Sequence, residues 1–393
     1  MAPRVLFLDH AGVLSGAELL LSDLAASYGH SCKVVLFADG PFRERLEKAG
    51  VEVEVLPAPP AVKDIRRQAG GLRELRAAPG VLHLSRRLAR VARSYDVLYA
   101  NSQKALVVGA LAGKLAGKPV MWHLHDMLTT DHFSPKHQWL AVTIANRMVA
   151  RVIANSEATA LEFAKSGGEP KLVHVVYNGI DAGPMESVDP EEVAELKEKL
   201  GLAGIPVVGT FSRLAPWKGQ HVLIEALTRL PGFHALIVGE ALFGEYAYAR
   251  SLDDQSRALG VANRVHRLGF REDIPRLMKL TDVVAHTSIA AEPFGRVIVE
   301  GMLARKPVLA SRAGGVMEIV EDGMNGVLVP PEDSNALAAA LANLVANPSK
   351  GRALAEAGYE TALERFSLRT MTESIEKQIW DVAGFAGLAS VPL

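Results

Sequence analysis

The chain has 393 residues, more than one hydrophobic core ordinarily organises, so at least two domains are expected. Hydrophobic residues make up 49% and charged residues 22%, which supports packed cores and excludes a disordered or membrane-embedded chain. A formal net charge of -1 hides local imbalance, and the single cysteine, Cys32, excludes an internal disulfide and a Cys-rich metal site.

The first apolar run, Val5 to Leu8, is too short for a secretory h-region and runs into Asp9 and His10. No later stretch reaches the length that spans a bilayer, so a cytoplasmic protein is expected. Further short runs at Val34–Phe37 and Val51–Leu56, joined by helical stretches at Glu18–Tyr28 and Pro41–Ala49, read as parallel strands with crossover helices. Next comes a basic segment, residues 63–93. Lys63, Arg66, Arg67, Arg73, Arg76, Arg86, Arg87, Arg90 and Arg93 are opposed locally only by Asp64 and Glu74. It reads either as a solvated helix face or as a peripheral contact with an anionic acceptor or membrane. Gly70-Gly71 and Pro79-Gly80 are expected to break any single long helix there.

Strand-like runs resume at Val97–Ala100, Pro119–His123, Val152–Ala154 and Val173–Tyr177. The pattern lapses after Asp181, and a second alternating series starts at Val207–Phe211 and continues through Ala235–Val238, Val265–Leu268, Val283–His286, Pro307–Ser311 and Gly326–Val329. This predicts two doubly wound α/β domains, residues 1–183 and 204–365, with a linker at 184–203. Residues 366–393 should form a helix that crosses back to the first domain, because Met371, Ile375, Ile379 and Val382 share one helical face.

Two elements of the second half carry the chemistry. The turn RLAPWKG after Phe211 places Arg213 and Lys218 in one loop before a helix, an arrangement suited to a diphosphate. The segment EPFGRVIVE places Glu292 and Glu300 on either side of Pro293-Phe294-Gly295. There Pro starts a helix and Gly admits a ligand to the backbone, so Phe294 and Gly295 can present N–H groups. Glu300, in the first turns of that helix, is placed to accept hydrogen bonds from a ribose diol.

The chain resembles a family 4 glycosyltransferase of the GT-B fold. The match runs in order through SGAE (15–18), HLHD (123–126), NS (155–156), NGID (178–181), RLAPWKG (213–219), VGE (238–240), EPFGRVIVE (292–300) and AGGVMEIVEDGMNGVLVPPED (313–333). The resemblance implies two Rossmann-like domains facing across a cleft, retention of anomeric configuration and no metal or other cofactor, the nucleotide sugar being a substrate. It implies that Glu292 contacts donor-sugar hydroxyls, Glu300 the ribose, and Arg213 and Lys218 the diphosphate, with Phe294 and Gly295 completing the cradle. From the first domain it implies Gly16 near the donor phosphate and His125 beside the reacting sugar or the acceptor. Ser15-Gly16 stands where the family often has a Gly pair. The expected donor is a UDP-hexose such as UDP-glucose, with GDP-mannose as the open alternative. Expected acceptors are a glycan, a lipid-linked glycan or a small molecule in polysaccharide, glycolipid or glycoconjugate biosynthesis, with no nucleic-acid partner.

Other chemistries fit less well. His123, His125 and Asp126 suggest a metal site, but 123 and 125 share a strand face that 126 leaves. FLDHAGVL resembles a phosphatase nucleophile loop, yet Ala11 stands where that chemistry needs a second carboxylate. Gly12 and Gly16 do not complete a dinucleotide fingerprint. A sugar-nucleotide epimerase or hydrolase, or a non-catalytic nucleotide-sugar binder, remain the alternatives on the same fold.

Overall fold

The computed structural model describes residues 2–60, 72–130, 133–242 and 244–384. The chain divides into two compact units, residues 1–179 with 368–393, and residues 180–367. In the first, β1 (Val5–Asp9), β2 (Cys32–Leu36), β3 (Val53–Val55), β4 (Val97–Ala100), β5 (Val120–Leu124), β6 (Arg151–Ala154) and β7 (Val173–Val175) form a parallel sheet in the order 3-2-1-4-5-6-7. Alternate residues of β1 serve opposite faces, and both faces are buried. Leu6 and Leu8 join a core with the helices 72–92, 103–116 and 135–148, while Val5 and Phe7 join one with 16–28, 41–48 and 368–382.

The second unit holds β8 (Val207–Phe211), β9 (His234–Val238), β10 (Val265–Gly269), β11 (Val283–His286), β12 (Val308–Ser311) and β13 (Val327–Val329), again all parallel, in the order 10-9-8-11-12-13. Each sheet reverses its winding once, between β1 and β4 and between β8 and β11. Loops leaving the carboxyl ends of those strand pairs diverge to opposite faces and leave a crevice, where open α/β sheets bind ligands.

The expected linker at 184–203 is not a linker. Helices Gly183–Glu186 and Pro190–Lys199 occupy most of it and belong to the second unit, where both pack on the helix Ile274–Leu280. Arg276 pairs with Glu192, and Lys197 approaches Asp282. The expected break at Pro79-Gly80 is also absent, for one helix, Leu72–Ala92, runs through it. Gly70 and Gly71 lie outside the described residues. Ala77, Leu84, Leu88, Ala89 and Ala92 of this helix are buried against the core. At about 1.5–3 kcal/mol for each fully buried leucine, that packing offsets the roughly 3 kcal/mol of an interior proline.

The final helix, Leu368–Val382, lies in the first unit with Met371, Ile375 and Ile379 buried in its core. Truncating Ile375 to Ala should cost about 2–5 kcal/mol. In urea denaturation the loss should appear in the transition of the first unit; a shift confined to the second would contradict the packing.

Candidate active site

In the second unit, the loop after β8 carries Arg213 and Lys218, and the loop after β11 carries Glu292. The two loops are tied together by main-chain and side-chain bonds: Ile289 N–H donates to Trp217 O at 2.8 Å, and Thr287 Oγ1 donates to Lys218 O at 2.9 Å. Gly219 makes this approach feasible. Its φ is +68°, and a Cβ there would lie 2.0 Å from Thr287 O. A third loop, after β12, closes on the same segment, with Gly315 N–H donating to Glu292 O at 2.8 Å.

These loops bring the Lys218 ammonium onto both oxygens of Glu292, at 2.7 and 2.9 Å. Both side chains are largely buried, 14% and 12% exposed. Ser288 Oγ donates to Glu292 Oε2 at 2.9 Å, and His286 Nε2 stands 3.2 Å from the same oxygen. Burial works against the charge of Glu292, but the Lys218 ammonium and the His286 contact more than offset it and hold the carboxyl well below the usual range. Glu292 is therefore an ionised hydrogen-bond acceptor at neutral pH, unsuited to donating a proton.

Arg213 donates from Nη1 to Glu245 Oε2 at 3.1 Å and lies over the Trp217 ring, as does the Lys218 ammonium at 4.1 Å. The two expected diphosphate cations thus lie against one indole ring, and each already has a carboxylate beside it. Gly295, at φ +113°, opens the helix Arg296–Leu303. Phe294 is buried edge-on against Phe366, so only its backbone is suited to a ligand. Glu300 accepts from Arg296 Nε at 2.7 Å, one turn along the same helix.

In the first unit, β1 ends in the fully buried Asp9. Its carboxylate accepts from Asn101 Nδ2 at 2.6 Å and from Ala11 N–H at 3.1 Å, and it lies 3.2 Å from His10 Nδ1. Burial again opposes the charge, and the bonds from His10, Asn101 and Ala11 prevail, keeping Asp9 below its ordinary value. An ionised Asp9 accepts only, so the Asn101 amide must turn its nitrogen to Asp9 and its oxygen to His125 Nε2, 2.8 Å away. His125 Nε2 then carries the ring proton and Nδ1 keeps a lone pair. Burial lowers the His125 pKa to about 4, partly countered by Asp126 and Asp9. His123 packs on His125 with ring centroids 3.8 Å apart and faces the Tyr99 hydroxyl at 2.8 Å, as a buried neutral histidine. Gly16, the first residue of the helix Gly16–Tyr28, is exposed, and a Cβ there would meet nothing within 4 Å.

The family model for glycosyl transferases group 1 matches residues 192–361, and that for the glycosyl transferase 4-like domain matches residues 12–179. The solved structure of Anabaena HepE in complex with UDP and glucose is 44% identical, with 96% of this chain and 99% of that chain covered at a TM-score of 0.88. The chain belongs to family 4 of the GT-B glycosyltransferases. Among curated relatives, it is 31% identical to the lipopolysaccharide core biosynthesis glycosyltransferase LpsE of Rhizobium meliloti over 57% of this chain. It is 33% identical to the GDP-mannose-dependent alpha-(1-6)-phosphatidylinositol monomannoside mannosyltransferase of Mycolicibacterium smegmatis over 55% of this chain. The matches span 62% and 58% of those two relatives' lengths. WaaG, at 18% identity and a TM-score of 0.72, shares the fold.

Within this glycosyltransferase, the structure groups Lys218 with Glu292 and places Arg213 at the same indole. It pairs Glu300 with Arg296. Sequence reasoning missed His286, Ser288 and Glu245 in the second unit, and Asp9 and Asn101 in the first. Polar residues that end a buried strand, as in the HTS of 286–288 and the NS of 101–102, were the available signal.

Two measurements check this electrostatic reading. Lys218→Met strands a largely buried carboxylate and should destabilise the second unit by about 3–5 kcal/mol, whereas Lys218→Met/Glu292→Gln should recover much of that loss. Additive losses in urea titrations would contradict the pairing. For His125, the folded pKa of about 4 lies below the unfolded value near 6.5, so the unfolded chain binds the proton more readily. This contribution is complete above about pH 6.5 and is lost as pH falls toward 4. The pH slope of the urea midpoint in that window should be shallower in His125→Gln.

Proposed function

We propose that this glycosyltransferase moves a hexosyl group from a UDP-hexose to an acceptor hydroxyl with retention of configuration and without a metal. The observation that carries the reading is the Lys218–Glu292 pair at the β8/β11 switch point, beside Arg213 and the helix opened by Gly295. A UDP-hexose is favoured because HepE, aligned over nearly the whole of both chains, was solved with UDP-glucose. Acceptors of the glycan, lipid-linked or small-molecule class, and a place in glycoconjugate or polysaccharide synthesis, fit the kinds of relative the chain matches.

In this proposal Lys218 and Arg213 take the donor diphosphate, Lys218 sharing itself with Glu292 and Arg213 exchanging Glu245 for phosphate oxygens. Glu292, ionised and acceptor-only, receives hydrogen bonds from sugar hydroxyls, and Glu300 receives those of the ribose diol. The N–H groups of Phe294 and Gly295 face the sugar-phosphate. The bond from the anomeric carbon to the diphosphate oxygen breaks while the acceptor oxygen bonds to that carbon from the same side. The acceptor's proton passes to the departing phosphate. No protein base is then required, in keeping with a Glu292 carboxyl too acidic for one. The protein's task is to stabilise charge on the leaving diphosphate through fixed cations and backbone dipoles. His125, neutral and held by Asn101, offers its Nδ1 lone pair to a hydroxyl of the sugar or acceptor.

Lys218→Ala or Glu300→Ala should lower transfer at least about tenfold, near 1.4 kcal/mol of barrier, at subsaturating donor. UDP-glucose should raise the melting midpoint more than GDP-mannose, chelator should leave the rate unchanged, and NMR of the product should show the donor's anomeric configuration. Full activity in both variants would sink the site assignment. Rapid donor hydrolysis or isomerisation without acceptor would favour a hydrolase or epimerase, and donor binding without turnover a binding module.

A further inference from the structure

Of the two cations assigned to the donor diphosphate, Arg213 has the more exposed side chain, 30% against 14% for Lys218. Where such a side chain points depends on how firmly its main chain is held. That hold comes from Gln220, the first residue of the helix Gln220–Ala226 and fully buried. A buried amide needs partners for both of its ends. The Gln220 Nε2 donates to Arg213 O and to Ser212 Oγ, both at 2.9 Å, and its Oε1 accepts from the Tyr248 hydroxyl at 3.1 Å.

The direction of these bonds follows from the groups themselves. A main-chain carbonyl only accepts, so the amide atom facing Arg213 O is the nitrogen, and the oxygen is left to Tyr248. The tyrosine must then donate its one proton. Burial pushes that hydroxyl up to about 12, so the proton is in place at neutral pH. With its proton committed, the Tyr248 oxygen accepts from His221 N–H at 3.3 Å and from His221 Nδ1 at 3.0 Å, which selects the Nδ1-protonated ring. The bonds therefore run one way, from His221 through Tyr248 and Gln220 to the carbonyl of Arg213. Tyr248 belongs to the helix Tyr246–Ala258, and Glu245, the residue just before that helix, pairs with the Arg213 guanidinium at 3.1 Å. One helix end thus holds the side chain of Arg213 directly and its main chain through Gln220.

We propose that Gln220 and Tyr248 are positioning residues of the transfer reaction, their directed hydrogen-bond chain fixing the main chain at Arg213 and so aiming its guanidinium at the donor diphosphate. The inference rests on the donor reading of Arg213. When the guanidinium leaves Glu245 for phosphate oxygens, the bond from Gln220 stays, and one oxyanion replaces another about a fixed main chain. A cation held in this way needs little reorganisation as charge develops on the leaving group. A glutamine that only tied the loop to its helix would act on stability and leave the preference for diphosphate over nucleoside untouched.

Binding of UDP and of uridine, titrated side by side, tests it. Gln220→Met should lower UDP affinity at least about tenfold and leave uridine affinity unchanged. Tyr248→Phe keeps the ring and frees the amide to turn, and it should lower UDP affinity about threefold with the same selectivity. In an Arg213→Ala background neither substitution should lower UDP affinity further. Equal losses for UDP and uridine, unchanged UDP affinity in Tyr248→Phe, or losses that add to that of Arg213→Ala would each overturn the proposal. Arg213→Ala by itself reads the premise. If it keeps the wild-type affinity for UDP, the donor reading falls and this inference with it, whereas a loss there with none in Gln220→Met defeats the inference alone.

Discussion

A carboxylate removed from water stays ionised only if the protein supplies compensating charge and donors, and Glu292 obtains both from neighbouring loops. Lys218 arrives from the loop after β8, while His286 and Ser288 come from the end of β11 and the loop beyond it. Those groups converge because the strand order reverses between β8 and β11 and because Gly219, Gly314 and Gly315 let three loops approach to main-chain contact. A side chain at any of these glycines would collide with backbone carbonyl oxygen, so the ion pair and the loop architecture depend on each other. The consequence for chemistry is a restriction. A carboxylate held this acidic accepts hydrogen bonds and has no proton to donate at neutral pH.

The first sheet repeats the device with different groups. Asp9 is buried at the end of β1, its charge is satisfied by main-chain and amide donors, and the Asn101 amide transmits that orientation to His125. The tautomer of His125 thus follows from an acceptor-only carboxylate two hydrogen bonds away. Asp9 also explains why FLDHAGVL resembles a phosphatase loop. The aspartate is present, but it is fully buried and bonded to the protein, where it orients neighbours instead of attacking a substrate.

Much of the fold was legible in the sequence because buried parallel strands are short apolar runs and their crossover helices are amphipathic. The run Val207–Phe211 and the stripe Met371, Ile375, Ile379 announced themselves in this way. Local rules failed where tertiary burial outweighed them. Pro79 sits inside a continuous helix because Ala77, Leu84 and Leu88 anchor it in the core, and the polar stretch 184–203 folds onto the second unit through its helices.

The sequence by itself determined the two doubly wound domains, the family resemblance, and the positions of Arg213, Lys218, Glu292 and Glu300, since residue type and spacing along one strand–loop–helix unit suffice for these. Only the tertiary structure decided what each charge touches. Lys218 and Glu292 are 74 residues apart, and Asp9 and Asn101 are 92 apart. Protonation is set by burial and by partners within hydrogen-bond reach, and those are supplied by loops that meet only when the sheets have formed.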